Sequence, residues 1–159
     1  MKIQVIQVGK NKDRYIEEGV KEFSKRLQQF CNIEISTLQG ADVGVNMPRE
    51  KIVADESMRV ARMIPRDAFV VVLDEKGKEL NSVEFSGILE KAKDMGQTLV
   101  FVIGGAFGLS SNLKGSANLL LSMSKMTFTH QMIRPFLLEQ IYRGFCILGG
   151  KEYHYGSLR

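Results

Sequence analysis

The stretch FVIGGAFGLS, residues 101–110, runs from an apolar segment directly into glycines. The apolar run from Leu99 to Ile103 predicts a strand that is buried on both faces. Gly104 and Gly105 follow it, and Gly108 comes shortly after. Because ligands bind beyond the carboxyl ends of parallel strands, and glycine lets backbone approach a ligand closely, this stretch predicts a binding site. The alternative is an ordinary strand-to-helix turn.

Strands and helices alternate on both sides of this stretch. Apolar runs and period-two patterns predict strands at residues 2–8, 32–38, 68–73, 98–103 and 119–122. Helices are predicted at 12–29, 48–64, from Asn81 or Ser82 to Gly96, from Ser110 or Ser111, and at 133–148. The alternation predicts an α/β fold, with a mostly parallel sheet and helices on both faces.

Two finer expectations concern the region before the glycines. The segment DEKGK, residues 74–78, is predicted to turn at Gly77. In the helix that follows, the predicted inward-facing residues are Phe85, Leu89, Ala92 and Met95.

Composition is that of an ordinary globular protein. The 159 residues predict one domain spanning 1–159, and the net charge of +4 permits an anionic partner without requiring one. Cys31 and Cys146 have no CxxC or metal-ligand spacing, so we expect reduced core thiols, no disulfide and no metal. Without a signal sequence or membrane-length apolar run, we expect a cytoplasmic protein with no membrane partner.

Neither common phosphate-binding signature fits the glycines. Gly9 and Lys10 lack the rest of a P-loop. A Rossmann fingerprint requires GxGxxG in the first βα turn and an acidic residue about twenty positions later. Here the pattern is GGxxG after a late strand, with no acidic residue in that window, so a NAD-dependent dehydrogenase is disfavoured.

A second unusual segment, SMSKMTFTHQMIR at residues 122–134, has neither strand nor helix periodicity. Loops held by a rigid sheet commonly carry binding sites. For the side chains of Met123, Met126 and Phe128, packing on the core is the favoured interpretation.

Together these motifs resemble one family. They are VGK (8–10), LDEKGK (73–78), IGGAFGLS (103–110), LSMSKMTFTHQMIR (121–134), EQIYR (139–143) and the late YH (153–154). The chain resembles the SPOUT methyltransferases, and more closely the ribosomal RNA large-subunit methyltransferase H family, over its whole length.

The resemblance implies a C-terminal trefoil knot and a homodimer that binds S-adenosylmethionine. The implied cofactor-binding residues are Leu73, Gly104, Gly105, Met123, Ser124, Lys125, Met126, Thr127 and Phe128. The implied reaction is methylation of N3 of a pseudouridine in helix 69 of 23S ribosomal RNA, on the assembled 70S ribosome.

Three residues are predicted to take part in the chemistry. His130 is a candidate base, because histidine titrates near neutral pH; a structural hydrogen bond is equally expected. Arg134 is expected to bind an RNA phosphate or polarise a base carbonyl, and its alternative is an ion pair with an acidic residue. The resemblance places His154 near the target nucleotide.

Aromatic and basic residues elsewhere predict RNA contacts. They are Lys10, Tyr142, Arg143, Tyr153, His154 and Arg159. For Arg143 the leading alternative is an i,i+4 pair with Glu139, and for Tyr142 the alternative is packing against the sheet. Tyr155 stands where the family usually has Lys or Arg, so Arg159 is expected to substitute.

Two other functions remain open at this point. One is a SPOUT methyltransferase that acts on tRNA, and the other is a non-catalytic ribosome-binding protein. Cofactor binding and the choice of RNA would discriminate among them.

Overall fold

The computed structural model describes residues 1–41, 47–151 and 153. Its strands are β1 (Lys2–Val8), β2 (Asn32–Leu38), β3 (Phe69–Glu79), β4 (Leu99–Ile103) and β5 (Leu119–Ser122). Its helices are α1 (Arg14–Leu27), α2 (Arg49–Met63), α3 (Ser82–Asp94), α4 (Ser111–Ser116) and α5 (Ile133–Leu148). The predicted alternation is confirmed, and the ends of α1 lie within two residues of the expected positions.

The five strands form one parallel sheet in the order β2-β1-β4-β3-β5. β4 lies at the centre, and all of its residues are buried. Leu99 pairs with both Ile3 of β1 and Phe69 of β3, so the three strands start level. One apolar cluster joins the sheet to α1, α3 and α5, and another joins it to α2 and α4. Helices therefore cover both faces, as predicted.

The expected turn at Gly77 is wrong. β3 continues to Glu79, and both Leu73 and Lys78 pair with Leu121, with an irregularity between the two registers. A β-carbon on Gly77 would lie 2.6 Å from the carbonyl carbon of Leu121. The glycine is therefore needed because β5 passes so close to it.

α3 begins and ends as its sequence indicates. The Asn81 side chain accepts hydrogen bonds from the backbone of Val83 and Glu84, forming a capping box. Gly96 ends the helix with φ at +65°. The predicted inward orientation of Met95 is wrong, because this residue is 57% exposed. It is the C-cap residue, and the inward spacing of Phe85, Leu89 and Ala92 leads next to position 96.

Both cysteines are buried and free, as the sequence indicates. Burial raises the pKa of the Cys31 thiol to about 11, so this thiol is protonated at neutral pH. Within the described part of the chain, no helix is long and apolar enough to cross a membrane. The trefoil knot remains a prediction from the family resemblance.

Candidate active site

A cavity of about 590 Å³ lies at the carboxyl ends of β4 and β5, beside the part of β3 that is level with the end of β4. It is lined by residues 73–76, 103–109, 121–124 and 126–130, together with Arg49, Lys114 and Ile133. All the predicted cofactor residues except the exposed Lys125 line this cavity. The structure thus brings together residues that lie far apart in the sequence, at the edge of the sheet where ligands are expected. Their role in binding a cofactor remains a prediction.

The glycines after β4 form one wall of the cavity. Gly108 has φ at +78°, and its N–H donates to the carbonyl of Gly105 at 3.1 Å, which closes a tight turn. A β-carbon on Gly104 would lie 2.9 Å from Cγ of Leu109. A side chain at Gly104 would therefore clash, whereas at Gly108 the positive φ favours glycine. Both residues form the turn and line the cavity, so the turn and the binding-site interpretations apply to the same residues.

Helix α2 supports this glycine turn from behind. Buried Ser57 accepts a hydrogen bond from the backbone of Ser110 at 2.8 Å. The Ser110 hydroxyl in turn accepts from the backbone of Leu113, which caps α4 as predicted. The turn is therefore anchored at its far end to two helices.

The opposite wall is formed by the segment after β5, which is held by its own side chains. The Ser122 hydroxyl donates to the Ser124 carbonyl at 2.9 Å, and the Ser124 hydroxyl accepts from the backbone of Met126 at 3.0 Å. Met126 is 75% exposed and Phe128 is 41% exposed, so the expectation that they pack on the core is wrong. Met123 does pack on the core. The exposed side chains leave apolar surface at the cavity.

Charged residues that the sequence analysis missed also line the cavity. Lys114 Nζ lies 2.6 Å from Oδ2 of Asp74. Burial raises the pKa of Asp74, but Lys114 and the backbone N–H of Lys76 outweigh it, and the net pKa is lowered. Asp74 directly follows the strand predicted at 68–73, and this position could have indicated it, since residue 74 of β3 is level with the end of β4. No local signal marks Arg49, whose guanidinium lies 5.3 Å from the Phe107 ring centroid.

His130 is half-buried and lines the cavity. Burial lowers its pKa, and the positive charges of Arg134 and Lys12 lower it further. The imidazole is therefore neutral at neutral pH and can accept a proton.

Arg134 is placed differently from the expectation. It is 1% exposed and donates from Nη1 to Oδ1 of Asn11 at 2.6 Å and from Nη2 to the Val8 carbonyl at 2.7 Å. Burial lowers the pKa of its guanidinium to about 10. No acidic residue in the described ranges forms an ion pair with it, so the salt-bridge alternative is wrong there. The guanidinium is buried against Asn11 and Val8, where it can position its neighbours, and its contact with RNA stays a prediction.

A second group of predicted residues lies on α5, outside the cavity lining. Arg143 Nη2 lies 2.6 Å from Oε1 of Glu139, which confirms the predicted i,i+4 pair. The Tyr153 ring packs edge-on against Tyr142 at 4.9 Å, and its hydroxyl donates to Oε1 of Glu139 at 3.4 Å. Tyr142 also packs edge-on against Phe30, which follows α1, so its ring contacts lie beside that helix and not on a strand of the sheet.

The remaining predicted RNA contacts are placed as follows. Lys10 is exposed in the loop after β1. His154 and Arg159 lie outside the described residues. Within 1–41, 47–151 and 153, no group of three or more His, Cys, Asp or Glu is placed to hold a metal ion.

Comparison with known proteins finds a matching family and named relatives of the chain. The family described as "Predicted SPOUT methyltransferase" matches residues 1–154. Ribosomal RNA large subunit methyltransferase H of Geotalea daltonii is 40% identical, covering 98% of this chain and all of the relative. The protein of the same name from Clostridium botulinum strain Langeland is 42% identical, covering 97% and 99%.

Among solved structures, a probable methylase family protein from Haemophilus influenzae Rd KW20 shares the fold. The TM-score is 0.57 at 12% identity, with 96% of this chain and 70% of that chain covered. The family match and the near-complete coverage of both relatives lead to one assignment. The chain belongs to the SPOUT methyltransferases, in the family of ribosomal RNA large subunit methyltransferase H.

Proposed function

We propose that the chain transfers a methyl group from S-adenosylmethionine to N3 of a pseudouridine in helix 69 of 23S ribosomal RNA. The substrate is the assembled 70S ribosome, and the enzyme is a cytoplasmic homodimer of one domain, residues 1–159. The observation that carries the proposal is the cavity at the carboxyl ends of β4 and β5, lined by all but one, Lys125, of the residues that the resemblance assigns to the cofactor. The relatives named as large-subunit RNA methyltransferases support the substrate class.

The residues present fit S-adenosylmethionine. A volume of about 590 Å³ lies within the range of roughly 300–1,000 Å³ that is usual for small-molecule sites. Leu73 and Met126 supply apolar surface for an adenine ring, and the turn at Gly104 and Gly105 brings backbone polar groups to the wall. When bound there, S-adenosylmethionine supplies a methyl group activated by a positively charged sulfur.

His130 is the group of this chain that we assign to proton transfer. N3 of pseudouridine carries a proton, and that proton must leave for the nitrogen to gain a methyl group. A neutral imidazole at the cavity accepts it, and the low pKa of His130 keeps the imidazole neutral. The cavity walls orient the two reacting groups and exclude water.

RNA recognition is assigned to the exposed Lys10 and to the half-buried Tyr142 and Arg143. Lys10 lies near the His130 segment, because the adjacent loop residue Asn11 contacts Arg134. Tyr142 and Arg143 lie nine and ten residues into α5, roughly 13–15 Å along the helix from Ile133. The homodimer supplies a second copy of this group, and His154 and Arg159 complete the proposed RNA contacts.

The test is transfer of labelled methyl from S-adenosylmethionine to three substrates, followed by mapping of the modified nucleotide. The substrates are ribosomes from cells that lack this enzyme, free large-subunit RNA and tRNA. We expect label on ribosomes at a helix 69 pseudouridine. Label on tRNA would favour the tRNA enzyme, and ribosome binding without transfer would favour the non-catalytic protein. Efficient labelling of free RNA would contradict the requirement for an assembled ribosome.

A truncation separates Arg159 from the rest of the tail. Removal of residues 156–159 deletes this arginine and leaves Tyr153 and His154 in place. We expect methylation to fall, while S-adenosylmethionine binding stays at the wild-type level. Unchanged methylation would remove Arg159 from the site.

A further inference from the structure

The segment that carries His130 is tied to the loop between β1 and α1, residues 9–13. Arg134 Nη1 donates to Oδ1 of Asn11 at 2.6 Å, and Nη2 donates to the carbonyl of Val8 at 2.7 Å. A third hydrogen bond runs from the backbone of Lys12 to Oε1 of Gln131 at 2.9 Å. Three hydrogen bonds therefore join this segment to the end of β1 and the loop that follows it, more than one hundred residues away in the chain.

The two hydrogen bonds of Arg134 differ from ordinary surface contacts in burial and charge. Arg134 is 1% exposed, and its partners in the described structure are an amide oxygen and a carbonyl oxygen. Hydrogen bonds from a charged donor are stronger than neutral ones, and removal of one partner leaves a buried cationic donor unsatisfied. Breaking the hydrogen bond between Arg134 and Asn11 therefore costs free energy of folding. This hydrogen bond fixes the beginning of α5.

We propose that Asn11 is a positioning residue of the methylation site: through Arg134 it holds the segment 129–134, and thereby His130, against the cavity. Neither Asn11 nor Gln131 lines the cavity, so both act through other residues. The inference rests on the proposed function, because it assumes that the position of His130 matters for methylation.

The same ties set the charges around the imidazole. Among residues 1–41, 47–151 and 153, the charged groups that act on His130 are Arg134 and Lys12, and both lower its pKa. The other charged residues lining the cavity are Arg49, Asp74, Glu75, Lys76 and Lys114. A negative charge at position 11 would partly cancel the charge of Arg134 while keeping an oxygen to accept its hydrogen bond.

Two substitutions at one position separate geometry from charge. Asn11→Ala removes the acceptor, and we expect kcat to fall by about tenfold or more, since small displacements of reacting groups have effects of this size. The KM for S-adenosylmethionine should change much less, because Asn11 is outside the cavity lining. Asn11→Asp should restore kcat near neutral pH and move the acidic limb of the pH profile to higher pH. Asn112→Ala, the same change at an exposed position on α4, is the matched control and should leave kcat unchanged.

A readout without substrate keeps the inference separate from the proposed function. The chain has two histidines, so the NMR signal of His130 can be assigned by its loss in His130→Gln. We expect this signal to shift in Asn11→Ala and to titrate at higher pH in Asn11→Asp. If neither variant changes the His130 signal, the inference is overturned, whether or not the enzyme methylates ribosomes. If the signal changes but ribosomes are never methylated, the proposed function fails and the structural tie stands.

A second variant covers the case in which Asn11→Ala does not fold, as judged by circular dichroism. Gln131→Ala breaks only the exposed hydrogen bond to the backbone of Lys12. We expect the same directions of change in kcat and in the His130 signal, with smaller size. Wild-type values for both quantities in Gln131→Ala would contradict a positioning role of this loop.

Discussion

The carboxylate of Glu56 on α2 lies directly behind Gly105 on the cavity wall. A β-carbon on Gly105 would come within 2.9 Å of Oε2 of Glu56 and 3.1 Å of Cγ1 of Val8. Glu56 is buried, and its Oε1 accepts a hydrogen bond from the backbone of Ala41 at 3.0 Å. The Glu56 carboxylate therefore has little freedom to move away. Because it packs against Gly105, it fixes the distance between α2 and the backbone at Gly105.

Gly105→Ala should therefore weaken cofactor binding. The added methyl group must push the glycine turn into the cavity or displace a hydrogen-bonded carboxylate, and overpacking of this kind costs about 1–3 kcal/mol. We expect the dissociation constant for S-adenosylmethionine, measured by calorimetry, to rise about tenfold or more. Gly115→Ala is the control, because a β-carbon there would meet no atom within 4 Å. Equal affinities for the two variants would show that the turn does not contact the cofactor.

The close packing of α3 against α5 predicts opposite effects at two helical glycines. A β-carbon on Gly144 would lie 2.6 Å from Cδ1 of the buried Leu89, whereas one on Gly87 would meet nothing within 4 Å. Gly87→Ala should stabilise the protein by about 0.5–1 kcal/mol, because alanine loses less backbone entropy in a helix. Gly144→Ala should destabilise it by about 1–3 kcal/mol through overpacking, despite the better helix propensity. Urea unfolding measures both, and stabilisation by Gly144→Ala would contradict the packing.

The architecture could be predicted because its signals are local. The apolar run of β4 and the glycines after it lie next to each other in the sequence, and together they indicate a buried strand whose end faces a site. Gly77 could not be interpreted in this way. Its close approach to Leu121 depends on the register between β3 and β5, which is a property of the folded sheet.

The partners of Arg134 could not be predicted from the sequence, for a similar reason. An arginine beside a proline at a helix start predicts an exposed cation, yet its acceptors at Asn11 and Val8 lie more than one hundred residues away. Burial and these two oxygens decide its role, and neither is visible in the neighbouring residues. The cofactor residues were predicted from the family resemblance. Asp74 was not predicted, although the general placement of sites at carboxyl edges would have indicated it.

The ion pair between Asp74 and Lys114 predicts a pH-dependent contribution to stability. The pKa of Asp74 is lowered in the folded protein, so its contribution is present above the ordinary value of 3.8 and is lost as the pH falls through the folded value. Asp74→Asn should lower the free energy of unfolding at neutral pH by about 1 kcal/mol or less, since Lys114 is partly exposed. Denaturant titrations at several pH values should show the difference from wild type shrinking in acid. A difference that is constant with pH would exclude the charge of Asp74 as its cause.

His130 predicts an acidic limb in the pH profile of methylation. Its pKa is lowered below 6.5, so the imidazole that accepts the proton is present at neutral pH and is lost only as the pH falls below that value. His130→Gln should lower kcat by about 10²–10⁴-fold and remove this limb. The unfolded chain binds a proton on His130 at higher pH than the folded chain does. Wild type should therefore also lose stability as the pH falls through 6.5, and His130→Gln should lose less.

The two readouts of His130 separate a chemical role from a structural one. Single-turnover methylation across pH measures the first, and unfolding across the same range measures the second. If the stability difference appears while the rate and its acidic limb are unchanged in His130→Gln, then the histidine only supports the segment before α5. Another group, such as a residue of the C-terminal tail, must then accept the N3 proton, and the same pH series on His154→Gln would identify it.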